Sequence, residues 1–170
     1  GRENNNWIFH TKNKFSFSGN NGQFLNVSLM TLPVGLEPGY EGNASVSNRD
    51  GNLLFFGTDA NLVNRHNKKI LNSLPLMSWY SSTQGILIVP QPSKFENGIN
   101  LNHGNYYVFT IGCQGGSLRY SVVDMNLDGG LGAIKSDSQG NFIKDILIYS
   151  SAAEKLIAVP HANQHDFWII

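Results

Sequence analysis

The segment Asp124-Met-Asn126-Leu-Asp128-Gly129 holds the residues best spaced for chemistry. Oxygen ligands at alternate positions, then glycine, make the first half of a calcium loop. A hard cation takes several oxygens, and the chain must turn sharply around it. Position twelve of such a loop needs a bidentate carboxylate, and here it is Lys135. The competing reading is an Asx-rich turn capping a strand, its carboxylates accepting from backbone N–H groups. No cofactor is expected, with Ca2+ at Asp124, Asn126 and Asp128 as the one alternative.

Other candidates are weaker. His161 and His165 lie four apart, a zinc spacing on a helix, but Ala162-Asn163-Gln164 between them reads as a turn between strands. Ser81-Ser82-Thr83-Gln84-Gly85 lacks the G-x-S-x-G elbow, so its hydroxyls are expected to bond backbone. Ser47-Asn-Arg-Asp50-Gly51-Asn loosely resembles the Asp-box turn of sialidase-like propellers and reads as a hairpin. Cys113, the single cysteine, can form no internal disulfide and is expected to be a small buried residue. Asn26-Val-Ser28 and Asn43-Ala-Ser45 match the glycosylation sequon. Trp79 and Tyr80 lie in a loop instead of an apolar strand, which makes them the first choice for a ligand or protein contact.

These residues sit in a chain of 170, enough for one domain with one core. Charged residues are only 14%, against a usual share of about 25%. Asn, Ser and Gly take their place and suit a turn-rich β protein with an extracellular surface. Twelve basic and twelve acidic residues cancel. Nucleic acid and anionic membrane need clustered positive charge, and Arg65–Lys69 is too short a cluster. No stretch approaches the roughly 20 apolar residues of a spanning helix, and none of these 170 residues is expected to form a signal peptide. The apolar run Phe167-Trp168-Ile169-Ile170 at the end predicts that the parent chain continues.

The elements that position these residues read as strands. They cover Trp7–His10, Lys14–Ser18, Phe24–Leu29, Ala44–Ser47, Leu53–Gly57, Asn61–Asn64, Ile86–Pro90, Tyr106–Ile111, Leu118–Asp124, Leu156–Val159 and Asp166–Ile170. Asn20-Asn21-Gly22 supplies a turn, Leu32–Gly42 reads as a loop, and Ser150–Lys155 could form at most one helical turn. Aromatic strands recur from Asn52, Asn105 and Asp166, 53 and then 61 residues apart. Each follows a strand of small or β-branched residues. The expected fold is all-β, built from β-propeller blades of antiparallel strands, as a partial or truncated propeller. A β-sandwich would show similar spacing. The organisation expected is N-terminal strands in 1–42, blade-like units 43–84 and 85–153, and an incomplete unit 154–170.

Several strings carry a family resemblance: Glu41-Gly-Asn-Ala-Ser-Val-Ser, Asp50-Gly-Asn-Leu-Leu-Phe-Phe, Ser82-Thr-Gln-Gly-Ile-Leu-Ile-Val-Pro, Glu154-Lys-Leu-Ile-Ala-Val-Pro-His-Ala-Asn and, most specific, Tyr120-Ser-Val-Val-Asp-Met with Gly129-Gly-Leu-Gly. Over nearly its whole length the chain resembles the N-terminal propeller-like domain of large secreted Bacteroidota proteins of the gliding-motility-associated, type 9 secretion sorting-domain kind. The resemblance implies export through the type 9 machinery and a bacterial cell-surface or extracellular location. That family's sorting signal lies at the far C-terminus of the parent, and nothing here corresponds to it. It offers no catalytic residues to carry over. The chain departs from the pattern around Phe9-His10, where a Gly is usual, and at the unusually apolar Leu71–Tyr80.

Three functions follow as expectations. The first is a non-enzymatic binding or structural module that meets protein or glycan at the cell surface, possible contacts being Leu76–Tyr80 and the Gly112–Ser117 loop. The second is a propeller-type glycan hydrolase, which needs two of Asp50, Asp59, Asp124 and Asp128 to converge. The third is a fragment that pairs with a partner chain through an open strand edge.

Overall fold

The structure, a computed structural model, describes residues 6–9, 13–17, 24–29, 41–58, 60–79, 81–163 and 166–170. Among them the chain is all-β, and its one helical element is a 3-10 turn at Asp128–Gly130. The first sheet is a meander of β1 (Asn6–Phe9), β2 (Asn13–Phe17) and β3 (Phe24–Leu29). The second repeats the form with β4 (Asn43–Ser47), β5 (Leu53–Thr58) and β6 (Asn61–Asn64). The third starts with β7 (Ile86–Pro90). An excursion follows, carrying the small hairpin β8 (Phe95–Glu96) and β9 (Ile99–Asn100). The sheet resumes with β10 (Asn105–Ile111) and β11 (Leu118–Asp124). Its outer edge is shared by β12 (Ala133–Ile134) and β13 (Ile146–Tyr149), which pair with opposite ends of β11. The last sheet is the hairpin of β14 (Ala158–Pro160) and β15 (Phe167–Ile169). Among the described strands, pairing within every sheet is antiparallel and no sheet closes on itself.

The sheets stack face to face in chain order. Period-2 alternation sends successive side chains to opposite faces, and both faces of the middle sheets are apolar. On β10, Tyr106 and Val108 face the second sheet, where the Tyr106 ring stands edge-on to Phe55 at 5.6 Å. Tyr107, Phe109 and Ile111 face the last hairpin, with Phe167 and Ile169. The second sheet sends Leu53, Phe56 and Val63 back to Ile8 of the first sheet, and Phe55 and Leu62 forward to the third. A β-bulge makes this division possible. Val46 pairs with Phe55 and Ser47 with Leu53, so Leu54 is the extra residue. Without it Leu53 and Phe55 would share a face.

The first strands of successive sheets adjoin: β1 lies against β4, and β4 against β7. Such a meeting demands slim residues, and β4 is Asn-Ala-Ser-Val-Ser. A Cβ on Gly42, just before β4, would sit 2.6 Å from the backbone nitrogen of Gly85, just before β7. A Cβ on Gly57 would sit 2.2 Å from Cδ1 of Ile86.

Three loops close with one five-residue turn, at Asn48–Asn52, Asn64–Lys68 and Asp137–Asn141. In each, the first residue's Oδ1 accepts from the N–H groups two and four residues on, at 2.8–3.2 Å. Its own N–H donates to the fifth carbonyl, and its carbonyl accepts from the fourth N–H. The fourth residue has positive φ: Gly51 at 89°, Asn67 at 57°, Gly140 at 88°. Gly holds that conformation at no steric cost, and Asn and Asp tolerate it best among the other residues.

Most strand expectations hold to within a residue or two, and Leu156–Val159 shifts to start at Ala158. Ser150–Lys155 forms bends, not a helical turn. The short strands β8, β9 and β12, and the longer β13, are additions. The Asn20-Asn21-Gly22 turn and residues 32–40 of the expected loop lie outside the described residues.

Candidate functional site

The Asp124 turn follows directly from the end of β11. Asp124 Oδ1 accepts from the Asn126 backbone N–H at 2.8 Å and from its Nδ2 at 2.9 Å. Asn126 Nδ2 also donates to the His103 carbonyl at 2.7 Å. The neighbours of Asn105 orient its amide so that Nδ2 donates to Asp124 Oδ2 at 3.2 Å and Oδ1 accepts from Lys135 Nζ at 2.6 Å. Lys135, the residue at odds with a calcium loop, thus ties the turn to β10. Asp128 lies in the 3-10 turn with φ 51°. The Arg65 guanidinium donates to the Gly130 carbonyl, so the turn already has a cation against it. The geometry is that of an Asx turn, and among the described residues no group of three His, Cys, Asp or Glu gathers around it.

A second locus was not legible in the sequence. A cleft of about 360 Å3 opens between the first sheet and the β4–β5 turn. Asn6, Lys14, Ser16 and Phe17 line it from β1 and β2, and Asp50, Asn52 and Arg65 from the second sheet. Asn6 is its floor. The amide is buried, donates to Ser47 Oγ at 2.8 Å and the Gly51 carbonyl at 2.7 Å, and accepts from Ser16 Oγ–H at 2.8 Å. A buried amide with all these partners fixes the register of one sheet on the other. Lys14 is partly buried, and this desolvation pushes its ammonium below the ordinary lysine value.

The sequence-selected binding residues lie elsewhere and do not converge on this cleft. Trp79 is half exposed, in the segment between β6 and β7, and Tyr80 lies outside the described residues. Leu76, expected as part of the same contact, is instead core. Its N–H bonds to the Ala60 carbonyl at 3.0 Å, and this draws the side chain in beside Ile70 and Ile86. The Gly112–Ser117 loop is the β10–β11 turn. Cys113 in it is half-buried instead of buried, because β10 ends at Ile111. His161 follows β14, its ring 5.4 Å from that of Trp168, and His165 lies outside the described residues. Ser82 is buried with Oγ donating to the Ile111 carbonyl at 3.2 Å, the backbone role expected of it.

Compared with known proteins, the chain matches no family model, no curated protein and no solved structure. No helix among the described residues is long and apolar enough to cross a membrane.

Proposed function

We propose that the chain is a run of β-propeller blades in a large secreted cell-surface protein of the gliding-motility-associated, type 9 secretion kind, where it binds protein or glycan without catalysing a reaction. One observation carries the reading: antiparallel sheets stack face to face in chain order, and their first strands adjoin with Gly42 packed on Gly85. In a radial stack the inner strands crowd a common axis and must be slim, while outer edges and turns are left to meet partners. On this reading 43–84 and 85–153 are blades, flanked by strands of 1–42 and the incomplete unit 154–170. The hydrolase alternative needs two carboxyl groups about 5–10 Å apart. Asp59 lies outside the described residues, and Asp50 is the one carboxylate among the described residues lining the cleft.

The test is location. Antibody against this chain is applied to intact cells of the native producer, with and without working type 9 export. Labelling of intact cells that vanishes without export is the expected result. Labelling only after lysis defeats the proposal.

Strand addition by a partner chain is a second reading, favoured by β13. All four of its residues are exposed, and β11 is its one partner among the described strands. An apolar edge of this kind is a template for another strand. Leu147→Pro would remove a backbone donor there and should abolish any concentration-dependent association seen by sedimentation.

A further inference from the structure

We propose that the cleft between the first and second sheets binds an acidic sugar, a hexuronate residue of a surface or matrix glycan. Lys14 and Arg65 would hold its carboxylate, and Asp50 and Asn52 its hydroxyls. This deepens the binding-module reading and rests on it.

The charges of the lining come first. Lys14 and Arg65 against Asp50 leave one positive charge over. Lys14 makes no hydrogen bond or ion pair among the described residues, yet it is partly removed from water. A desolvated ammonium without a counter-ion is costly, and a monoanion entering the cleft supplies what is missing. Arg65 has given one nitrogen to the Gly130 carbonyl. A guanidinium carries five N–H donors in a fixed fork, so it is held in place with donors to spare.

Asp50 chooses among anions. A phosphate dianion would meet its carboxylate as a like charge with only one net positive charge to offset it. A sugar ring turns the same carboxylate into an acceptor for hydroxyl groups. Asp50 sits in the turn organised by Asn48, whose Oδ1 accepts from the N–H groups of Asp50 and Asn52 at 3.0 and 2.9 Å. Both side chains are therefore presented from a braced backbone. Phe17 gives the lining an aromatic side chain beside these polar groups. The volume of about 360 Å3 lies within the range of small-ligand sites, about 300–1,000 Å3.

Galacturonate, glucuronate and their short oligomers are titrated calorimetrically into the whole chain at low salt, beside glucuronate methyl ester, glucose and inorganic phosphate. Saturable uronate binding is expected, at least about tenfold tighter than the ester, because the ester lacks the charge-assisted contact. It should weaken with added salt. Lys14→Met should lose at least about tenfold in affinity with thermal stability kept or raised, since the ammonium is desolvated. Asp50→Asn should improve phosphate relative to uronate, and it provides a second folded variant should Lys14→Met misfold. Equal binding of uronate and ester, equal binding of phosphate, or no saturation by about 10 mM overturns the proposal. Cell-surface labelling is scored separately, so loss of the sugar site and loss of the surface assignment are told apart.

Discussion

The packing of the second sheet on the third can be tested at one pair of residues, Gly57 and Ile86. A Cβ on Gly57 would lie 2.2 Å from Ile86 Cδ1, and 3.2 Å from Ile86 Cγ1 and Leu62 Cδ2. Carbon atoms rest at about 3.5–4.0 Å, so the closest contact is short by more than about 1 Å. Both side chains, Ile86 and Leu62, are fully or nearly buried and cannot swing into solvent. Gly57→Ala should therefore cost about 2 kcal/mol as an overpacking defect, which lowers Tm by about 4–8 °C in a chain of this size. Ile86→Val alone should cost about 1 kcal/mol for the lost methyl.

The double variant separates the clash from a general weakness. Valine has no Cδ1, so Gly57→Ala with Ile86→Val should cost less than the sum of the two, with a coupling of at least about 1 kcal/mol. Urea denaturation of the four proteins, with unchanged m-values, measures it. Gly42→Ala is the contrasting case. Its nearest neighbours are the backbone of Gly85 and the Ser82 carbonyl, so no side-chain trimming should rescue it. A neutral Gly57→Ala, or strict additivity with Ile86→Val, would mean that these sheets do not meet as described.

Three further outcomes are expected. Thr110 is fully buried with Oγ1 unpaired, so Thr110→Val should raise stability by about 1 kcal/mol in the same urea assay; a loss would point to a water holding that hydroxyl. Asp137 is held below the usual carboxylate value first by the Asn141 N–H, with the Gln139 N–H adding to it. A depressed folded pKa means the turn's contribution is present above the unfolded value and fades as pH falls through the folded one. Protection of the Gln139 and Asn141 amides, measured against their intrinsic exchange rates at each pH, should thus fall below about pH 4, and Asp137→Asn, which copies Asn48 and Asn64, should remove that loss. On the Asx-turn reading of Asp124, calcium above the roughly 1 mM range of extracellular modules should leave Tm unmoved, whereas a calcium loop there would raise it and shift the Asp124, Asn126 and Asp128 resonances.

The strands of the middle sheets were legible because local chemistry and tertiary need agree there. Leu53–Phe56 and Tyr106–Ile111 are rich in aromatic and β-branched residues and are bounded by Asp-Gly or Asn turns. The two-residue strands offered no period to read. Ile146-Leu-Ile-Tyr149 is misleading in another way, since an apolar run usually signals burial and this one is exposed. Leu76 looked like a contact because its surroundings are loop, but a single bond to Ala60 turns it inward. The cleft was illegible for a deeper reason. Asn6, Lys14, Asp50 and Arg65 come together only through the packing of one sheet on another, and no spacing along the chain encodes that. The five-residue turn, by contrast, was present as Asn-Arg-Asp-Gly-Asn, Asn-Arg-His-Asn-Lys and Asp-Ser-Gln-Gly-Asn. Only the shared hydrogen bonds reveal the three as one device.

That device also explains the low charge. A sheet with one wet face places Lys and Glu at every second residue, whereas the second and third sheets bury apolar side chains on both faces. Polar residues are left the turns and edges. A tight turn asks for an acceptor at its first position and a left-handed backbone at its fourth, needs that Asn, Asp and Gly meet and Lys and Glu do not. Charge is therefore scarce because the main strands of these two sheets, β4, β5, β6, β10 and β11, have no exposed position. The cations that remain stand out for the same reason. Lys14 lies on a strand and Arg65 in a turn, and the packing of the sheets brings both to the same polar cleft. In so lightly charged a chain, that convergence is the feature that turn chemistry leaves unexplained.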